Sequence, residues 1–139
     1  MEFLKFSLSG FDDFLVYFGL SIGFVVLYLA IYVRATPYRE FALIRAGNAA
    51  AAASLSGSLI GFVLPLASAV VHSVNPWDMA LWAAIALAVQ IVVYLVVRLL
   101  LPEVVARHIP EGKVSAGVLL GAVSLAAGIL NAACMTPPA

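Results

Sequence analysis

The chain has 139 residues, of which 65% are apolar and only 10% carry a charged side chain, and its mean hydropathy is +1.13. Soluble domains have about 45–50% apolar and about 25% charged residues, so this composition excludes an ordinary soluble domain and a disordered chain. The seven basic and seven acidic residues balance, so nothing indicates a nucleic-acid surface. These figures predict a multi-pass membrane protein.

The first 14 residues contain several phenylalanines and three acidic residues. A secretory signal peptide begins with a basic segment, whereas this segment carries Glu2, Asp12 and Asp13. We therefore expect the first apolar stretch to remain in the protein as a helix. The phenylalanines that precede it predict that residues 1–14 lie on the outer membrane interface.

Four apolar stretches are long enough to cross a bilayer as helices, which takes about 20 residues each. They run over residues 15–33, 49–71, 79–101 and 114–135. Backbone polar groups in hydrocarbon must be satisfied within the segment, so continuous runs predict helices and not barrel strands. We predict an all-α membrane protein with one integral-membrane domain over residues 1–139.

Basic residues fall almost entirely on one side of these spans. Only Lys5 precedes the first span; three basic residues lie between the first and second spans, and three lie at or between the ends of the third and fourth. By the positive-inside rule, we expect both longer loops to face the cytoplasm, and the N-terminus, the C-terminus and the His72–Asp78 turn to face outward. Trp77 and Trp82 near the outer boundary, with Tyr32 and Tyr38 near the inner one, are interpreted as interfacial aromatic belts.

The two halves of the chain have the same order of features when shifted by 65 residues. Each half has a long apolar helix, a proline turn, a short mixed segment, a glycine and a helix rich in small residues. This order predicts two tandem, parallel two-helix repeats. Matching residues include Pro37 with Pro102, Ile44 with Ile109, Gly47 with Gly112, Ala51 with Ala116, and Leu55 with Leu120.

Small residues are spaced four apart in the second and fourth spans. Helices in lipid associate by close backbone approach at such positions, so these two spans should form the centre of the fold. The first and third spans carry bulkier residues and should face lipid more. The rows are Ala49, Ala53, Gly57 and Gly61 in the second span, and Gly117, Gly121, Ser124, Gly128 and Ala132 in the fourth.

The first cytoplasmic loop predicts a short amphipathic helix over Thr36–Arg45, capped by Thr36 with Pro37 at its first position. Residues Leu101–Ile109 fit the same pattern. Such a helix would lie on the inner leaflet and present charge to the cytoplasm. Arg39, Glu40 and Arg45 are therefore the candidate contacts for a peripheral cytoplasmic protein.

Four polar residues in or beside the spans have two open interpretations. Asn48, Gln90, Asn131 and Cys134 either line a polar cavity or make contacts between helices. Asp12, Asp13 and Asp78 are interpreted as a solvated acidic rim on the outer side.

The sequence gives no indication of catalysis, a metal site or a cofactor. Cys134 has no base or acid close in sequence, and His72 and His108 are predicted on opposite sides of the membrane. No Asp, Glu, Lys or His falls in the middle of a span, which disfavours proton-coupled export through a membrane carboxylate. We expect a protein that is not an enzyme.

Five segments carry a resemblance to a known family: residues 36–48, residues 57–68, His72-Ser73, the helix from Trp82 to Gln90, and the closing residues 128–135. They resemble the YjfL-type bacterial inner-membrane proteins, which form domain of unknown function family 350. The resemblance covers about residues 15–136. It implies a four-helix protein of the bacterial inner membrane, built from two tandem two-helix units. It also implies an association with membrane-stress proteins of the phage-shock type and with glutathionylspermidine-synthase-like ligases.

Two functions remain open. The first is a non-enzymatic membrane module that forms a homo-oligomer within the lipid bilayer or binds a peripheral partner. The second is a small oligomeric channel or transporter for an ion or small solute, with its path between protomers. The small-residue rows favour the first, and the neutral polar set favours the second.

Overall fold

The computed structural model describes residues 2–135, and all regular structure in that range is helical. In chain order the α-helices are α1 (Glu2–Leu8), α2 (Phe11–Ala35), α3 (Glu40–Arg45), α4 (Ala49–His72), α5 (Pro76–Leu100) and α6 (Val114–Cys134). One turn of π-helix, Val104–His108, lies between α5 and α6.

The four long helices are the four predicted spans. Helices α2, α4, α5 and α6 have 25, 24, 25 and 21 residues, enough to cross roughly 30 Å of hydrocarbon at 1.5 Å per residue. Two of them begin at asparagine caps, since the Asn48 side chain accepts from the Ala51 N–H at 3.0 Å and Asn75 from that of Asp78 at 2.8 Å. The prediction of four membrane-length helices is confirmed.

Helices α4 and α6 form the centre, as the small-residue rows predict. Residues later in α4 contact residues later in α6: Gly57 lies against Gly121, and Gly61 lies against Gly128. The two helices therefore run parallel. A Cβ atom added at any of these four glycines would overlap backbone of the other helix, so glycine is what permits the approach.

Pro65 lies buried within α4 and has no N–H to bond the carbonyl of Gly61, one turn earlier. That carbonyl oxygen faces Gly128 of α6, where the absence of a side chain leaves it room. The proline is thus accommodated inside the helix pair rather than at the lipid-facing surface.

Helix α2 lies at the periphery, and its buried residues lie in its C-terminal half. Of its 25 residues only Tyr28 and Tyr32 are buried. The Tyr28 ring stacks on Phe62 of α4 with 4.6 Å between centroids, and Tyr32 meets the edge of Tyr94 of α5 at 5.2 Å. The prediction that the first span faces lipid agrees with this exposure.

The loop between the first and second spans differs from its prediction. Thr36 does not cap a new helix but ends α2, with its N–H bonded to the Tyr32 carbonyl at 3.0 Å. The Thr36 hydroxyl instead donates back to the Val33 carbonyl of α2 at 2.9 Å, residues 36–38 form a bend, and Arg39 is extended, so helical backbone resumes only after Arg39. Helix α3 therefore begins only at Glu40 and has six residues.

Gly47 and Gly112 direct the chain into α4 and α6. They are the residues of the described range with a left-handed backbone, with φ of +89° and +82°. Only glycine adopts this conformation without strain, and the two positions are 65 residues apart.

Candidate functional site

Asn48 joins the starts of the two central helices. Besides capping α4, its Nδ2 donates to the carbonyl of Ile109 at 2.9 Å and to that of Pro110 at 3.3 Å. The amide thus anchors the segment before α6 to the first turn of α4.

Gln90 and Asn131 also bond to other helices. Gln90 of α5 donates from Nε2 to the Ser124 carbonyl of α6 at 3.1 Å, and Asn131 of α6 donates to the Ala86 carbonyl of α5 at 3.4 Å. Cys134 is an exposed, free thiol and does not join them. The structure does not bring these four residues together; the amides are spread along the helix contacts.

The predicted partner surface requires one correction. Arg39 and Arg45 are exposed, but Glu40 is fully buried and is not part of that surface. The reason is the register of α3: Glu40, Leu43 and Ile44 share one helix face at spacings of three and four, and that face packs inward.

Glu40 enters a cluster of hydroxyl groups near the C-terminal ends of α2 and α5 and the start of α4, which we call the tyrosine–glutamate cluster. The Tyr32 hydroxyl and Ser54 Oγ are 2.8 Å apart, which makes a buried hydrogen bond between α2 and α4. The cluster draws on α2, α3, α4, α5 and the loop before α3. Its members are Tyr32, Tyr38, Glu40, Ser54 and Tyr94.

The cluster contains several buried polar atoms that have no hydrogen-bond partner within residues 2–135. They are both carboxyl oxygens of Glu40 and the hydroxyls of Tyr38 and Tyr94. The ion pairs in the same range join Glu111 to Arg107 and Lys113, so none involves Glu40. A buried carboxyl group therefore lies among neutral hydroxyls without a cation.

Burial raises the pKa of Glu40 to about 7, although the nearby hydroxyls of Tyr38 and Thr36 oppose the rise. Burial also raises the pKa of Tyr38, with further contributions from Tyr32 and Glu40. The cluster can therefore hold a neutral glutamic acid near neutral pH, beside tyrosines that keep their protons.

Sequence reasoning missed this cluster because it interpreted Tyr32 and Tyr38 as an interfacial belt. Tyr32 is in fact fully buried, and the hydroxyl of Tyr38 is buried too. One signal was present: Ser54 and Ser58 recur at a helical spacing of four on the second span, and both are buried. Such a polar stripe on a central helix requires polar partners from its neighbours.

Four membrane-length helices with their polar groups turned inward define a multi-pass, α-helical membrane protein. Residues 6–135 match the family model of the Domain of Unknown Function (DUF350), and the chain belongs to this family. It is 41% identical over 123 residues to the UPF0719 inner membrane protein YjfL of Escherichia coli strain K12, covering 88% of this chain and 92% of the relative. The protein of the same name from Escherichia coli O157:H7 gives the same figures.

No solved structure matches the chain. The relatives and the four apolar helices together make this chain a multi-pass protein of the inner membrane.

Proposed function

We propose that the chain is a non-enzymatic inner-membrane module that forms a homo-oligomer through α2 and binds a peripheral cytoplasmic protein through its basic loops. The observation that carries the proposal is a pair of glycines, Gly19 and Gly23, on α2. Nothing lies within 4 Å of a Cβ atom added at either position. They form the Gly-x-x-x-Gly spacing by which membrane helices dimerise.

The central glycines provide the contrast. At each glycine of the central pair, backbone of the opposite helix fills the space that a Cβ atom would take. These glycines are Gly57, Gly61, Gly117, Gly121 and Gly128. Small residues thus divide into those used inside the chain and those left open on its surface. The open pair belongs to the helix with the least burial, where a second copy has room to approach.

The oligomer is tested by replacing Gly19 and Gly23 together with isoleucine. Photobleaching steps counted in lipid vesicles should show the wild type as an oligomer and the variant as a monomer, because the side chains would separate the helix backbones. Ala126→Ile, on an exposed part of α6, is the matched control. An unchanged step count in the double variant would place the interface elsewhere or exclude it.

The tandem parallel repeat belongs to the same proposal. It is supported by the left-handed glycines Gly47 and Gly112 and by the parallel contact of α4 with α6, in which residues 63 to 68 positions apart in sequence meet. A two-fold axis along the membrane normal would then pass between the two central helices.

The partner surface is supported by the exposure of Arg39 and Arg45 beside the inner ends of the spans. Its test is crosslinking in native membranes, followed by identification of captured peripheral proteins. Replacing both arginines by alanine should remove the captured protein, whereas Lys5→Ala on the opposite side should not. Capture that is equal in all three proteins would refute this surface.

A channel or transporter is the second candidate, and the buried Glu40 favours it because such carboxyls serve ion pathways in membrane proteins. The close α4–α6 contact leaves no path between the central helices, so a path would run between protomers. Vesicles containing the protein should then show ion or solute flux that Gly19→Ile/Gly23→Ile abolishes. Flux equal to that of empty vesicles would exclude this candidate.

A further inference from the structure

The tyrosine–glutamate cluster contains a titratable group that self-association and partner binding do not use. Glu40 is fully buried at the first turn of α3, and both of its carboxyl oxygens lack a hydrogen-bond donor within residues 2–135. An ionised carboxylate in such a place is strongly unfavourable unless a cation or several donors compensate it.

The groups that face Glu40 do not supply this compensation. Tyr32, Thr36, Tyr38 and Tyr94 are near Glu40, the serines Ser54 and Ser58 of α4 are near these tyrosines, and Arg98 of α5 is near Tyr94. Arg98 is the one cation among them. Its Nη1 donates to the Ala35 carbonyl at 2.7 Å, and it makes no ion pair with Glu40.

The arginines at the two ends of α3 also form no ion pair with Glu40. Arg39, which precedes the helix, and Arg45, its last residue, are exposed, whereas Glu40 is fully buried. The site therefore has one carboxyl group, several neutral hydroxyls and no paired positive charge. This composition suits a single bound proton.

We propose that Glu40 is a proton-binding site that holds α3 against the tyrosine–glutamate cluster when protonated and releases it when ionised. Protonation gives the carboxyl group an O–H that can donate to a neighbouring tyrosine oxygen, while its carbonyl oxygen accepts from another. On ionisation the proton passes to cytoplasmic water and the carboxylate follows it toward the surface. Because Arg39 and Arg45 are carried by the same segment, release would also rearrange the basic surface.

The direction of the pH dependence follows from burial. The pKa of Glu40 is raised from an ordinary 4.5 to about 7 in the folded protein, so the native state binds the proton more tightly than the unfolded state does. The stabilisation is complete below the ordinary pKa and is lost as the pH rises through about 7. Below that ordinary value, the carboxyl is neutral in both states.

The test compares wild type, Glu40→Gln and Glu103→Gln in lipid nanodiscs. Glu103 is an exposed carboxyl outside the cluster and serves as the matched control. Between about pH 5 and about pH 8.5 the melting temperature of wild type should fall by roughly 5 °C or more, and that of Glu40→Gln should stay nearly constant. Glu103→Gln should follow wild type. Equal slopes in wild type and Glu40→Gln would overturn the proposal.

A second arm separates the proton from a metal cation. At about pH 8.5, replacing choline chloride by sodium or potassium chloride at equal ionic strength should leave the melting temperature of wild type unchanged. A stabilisation by either ion that Glu40→Gln lacks would assign the site to an alkali cation and overturn the proton assignment.

Release of α3 is measured directly by thiol labelling in a Cys134→Ser background. Leu43→Cys reports the half-buried face of α3, and Ala42→Cys reports its exposed face and corrects for the pH dependence of thiol chemistry. The labelling ratio of Leu43→Cys to Ala42→Cys should rise severalfold from about pH 6 to about pH 8.5. A constant ratio would show that α3 stays in place.

The wild-type protein provides a readout if Glu40→Gln does not fold. Infrared difference spectra should show the carbonyl stretch of a protonated carboxylic acid that disappears with a midpoint near the raised pKa of Glu40, about 7. If no carboxylic acid band titrates in this range, the proposal is refuted.

Discussion

Tyr32 makes the side-chain hydrogen bond that joins α2 to the central pair in residues 2–135. Its hydroxyl is 2.8 Å from Ser54 Oγ, both groups are buried, and its ring contacts Tyr94. In a bilayer, neither water nor lipid can replace this bond, so its two partners depend on each other.

Replacing Tyr32 by phenylalanine should therefore lower the free energy of unfolding by about 1–2 kcal/mol, because Ser54 would be left without its partner. The double variant Tyr32→Phe/Ser54→Ala should lose less than the sum of the two single changes. Urea or SDS unfolding of all four proteins measures the coupling. If the losses of unfolding free energy in the two single variants add exactly in the double variant, the hydrogen bond contributes nothing to stability.

Gln90 is the buried amide of α5, and its Nε2 bonds to the backbone of α6. Such bonds between membrane helices contribute on the order of 1 kcal/mol. We expect Gln90→Leu to destabilise the protein by about this amount in SDS unfolding while leaving its oligomeric state unchanged. Gln90→Glu tests the same position with a carboxyl group. It should destabilise the protein more than Gln90→Leu does at high pH, where the carboxyl group would ionise. A neutral outcome for both variants would show that the bond is dispensable.

At the scale of elements, the contact of α4 with α6 rests on backbone approach rather than on interlocking side chains. A branched side chain at Gly61 or Gly128 would have to separate the two helices. Overpacking of this kind costs about 1–3 kcal/mol, and more where backbone itself is in the way.

Gly128→Ile should therefore abolish folding or lower stability by at least about 3 kcal/mol, whereas Gly23→Ile on α2 should leave the monomer fold intact. Retention of monodisperse, helical protein after purification is the measurement. If Gly128→Ile is as stable as Gly23→Ile, the two central helices are not in close contact.

The elements that the sequence predicts well are those defined by hydropathy alone. The bilayer sets the length of α2, α4, α5 and α6, and small residues at a spacing of four mark the central pair. The position of helix α3 was harder to predict. Its six residues are compatible both with a helix on the membrane surface and with one that packs inward. Whether Glu40 lies inside depends on Tyr94 of α5, 54 residues away, as well as on the nearby Tyr32 and Tyr38, and a local sequence pattern does not contain the contact with α5.

The whole molecule has a predicted orientation, with both termini in the periplasm and the basic loops in the cytoplasm. Two exposed positions test it in a Cys134→Ser background: Val74→Cys in the turn before α5, and Ala46→Cys in the loop before α4. A membrane-impermeant maleimide should label the first in intact spheroplasts and the second only after lysis. The reverse labelling pattern would show that the protein has the opposite orientation in the membrane.

The attachment of α2 has a consequence for how the protein is assembled. Helices α4, α5 and α6 contact one another extensively, whereas α2 buries only Tyr28 and Tyr32 fully and packs otherwise through half-buried side chains. Of the four spans described, the one synthesised first thus has the least buried surface. We expect α2 to enter the lipid from the insertion machinery before the other helices do. Its docking onto the bundle of α4, α5 and α6 should then be the last step of biogenesis.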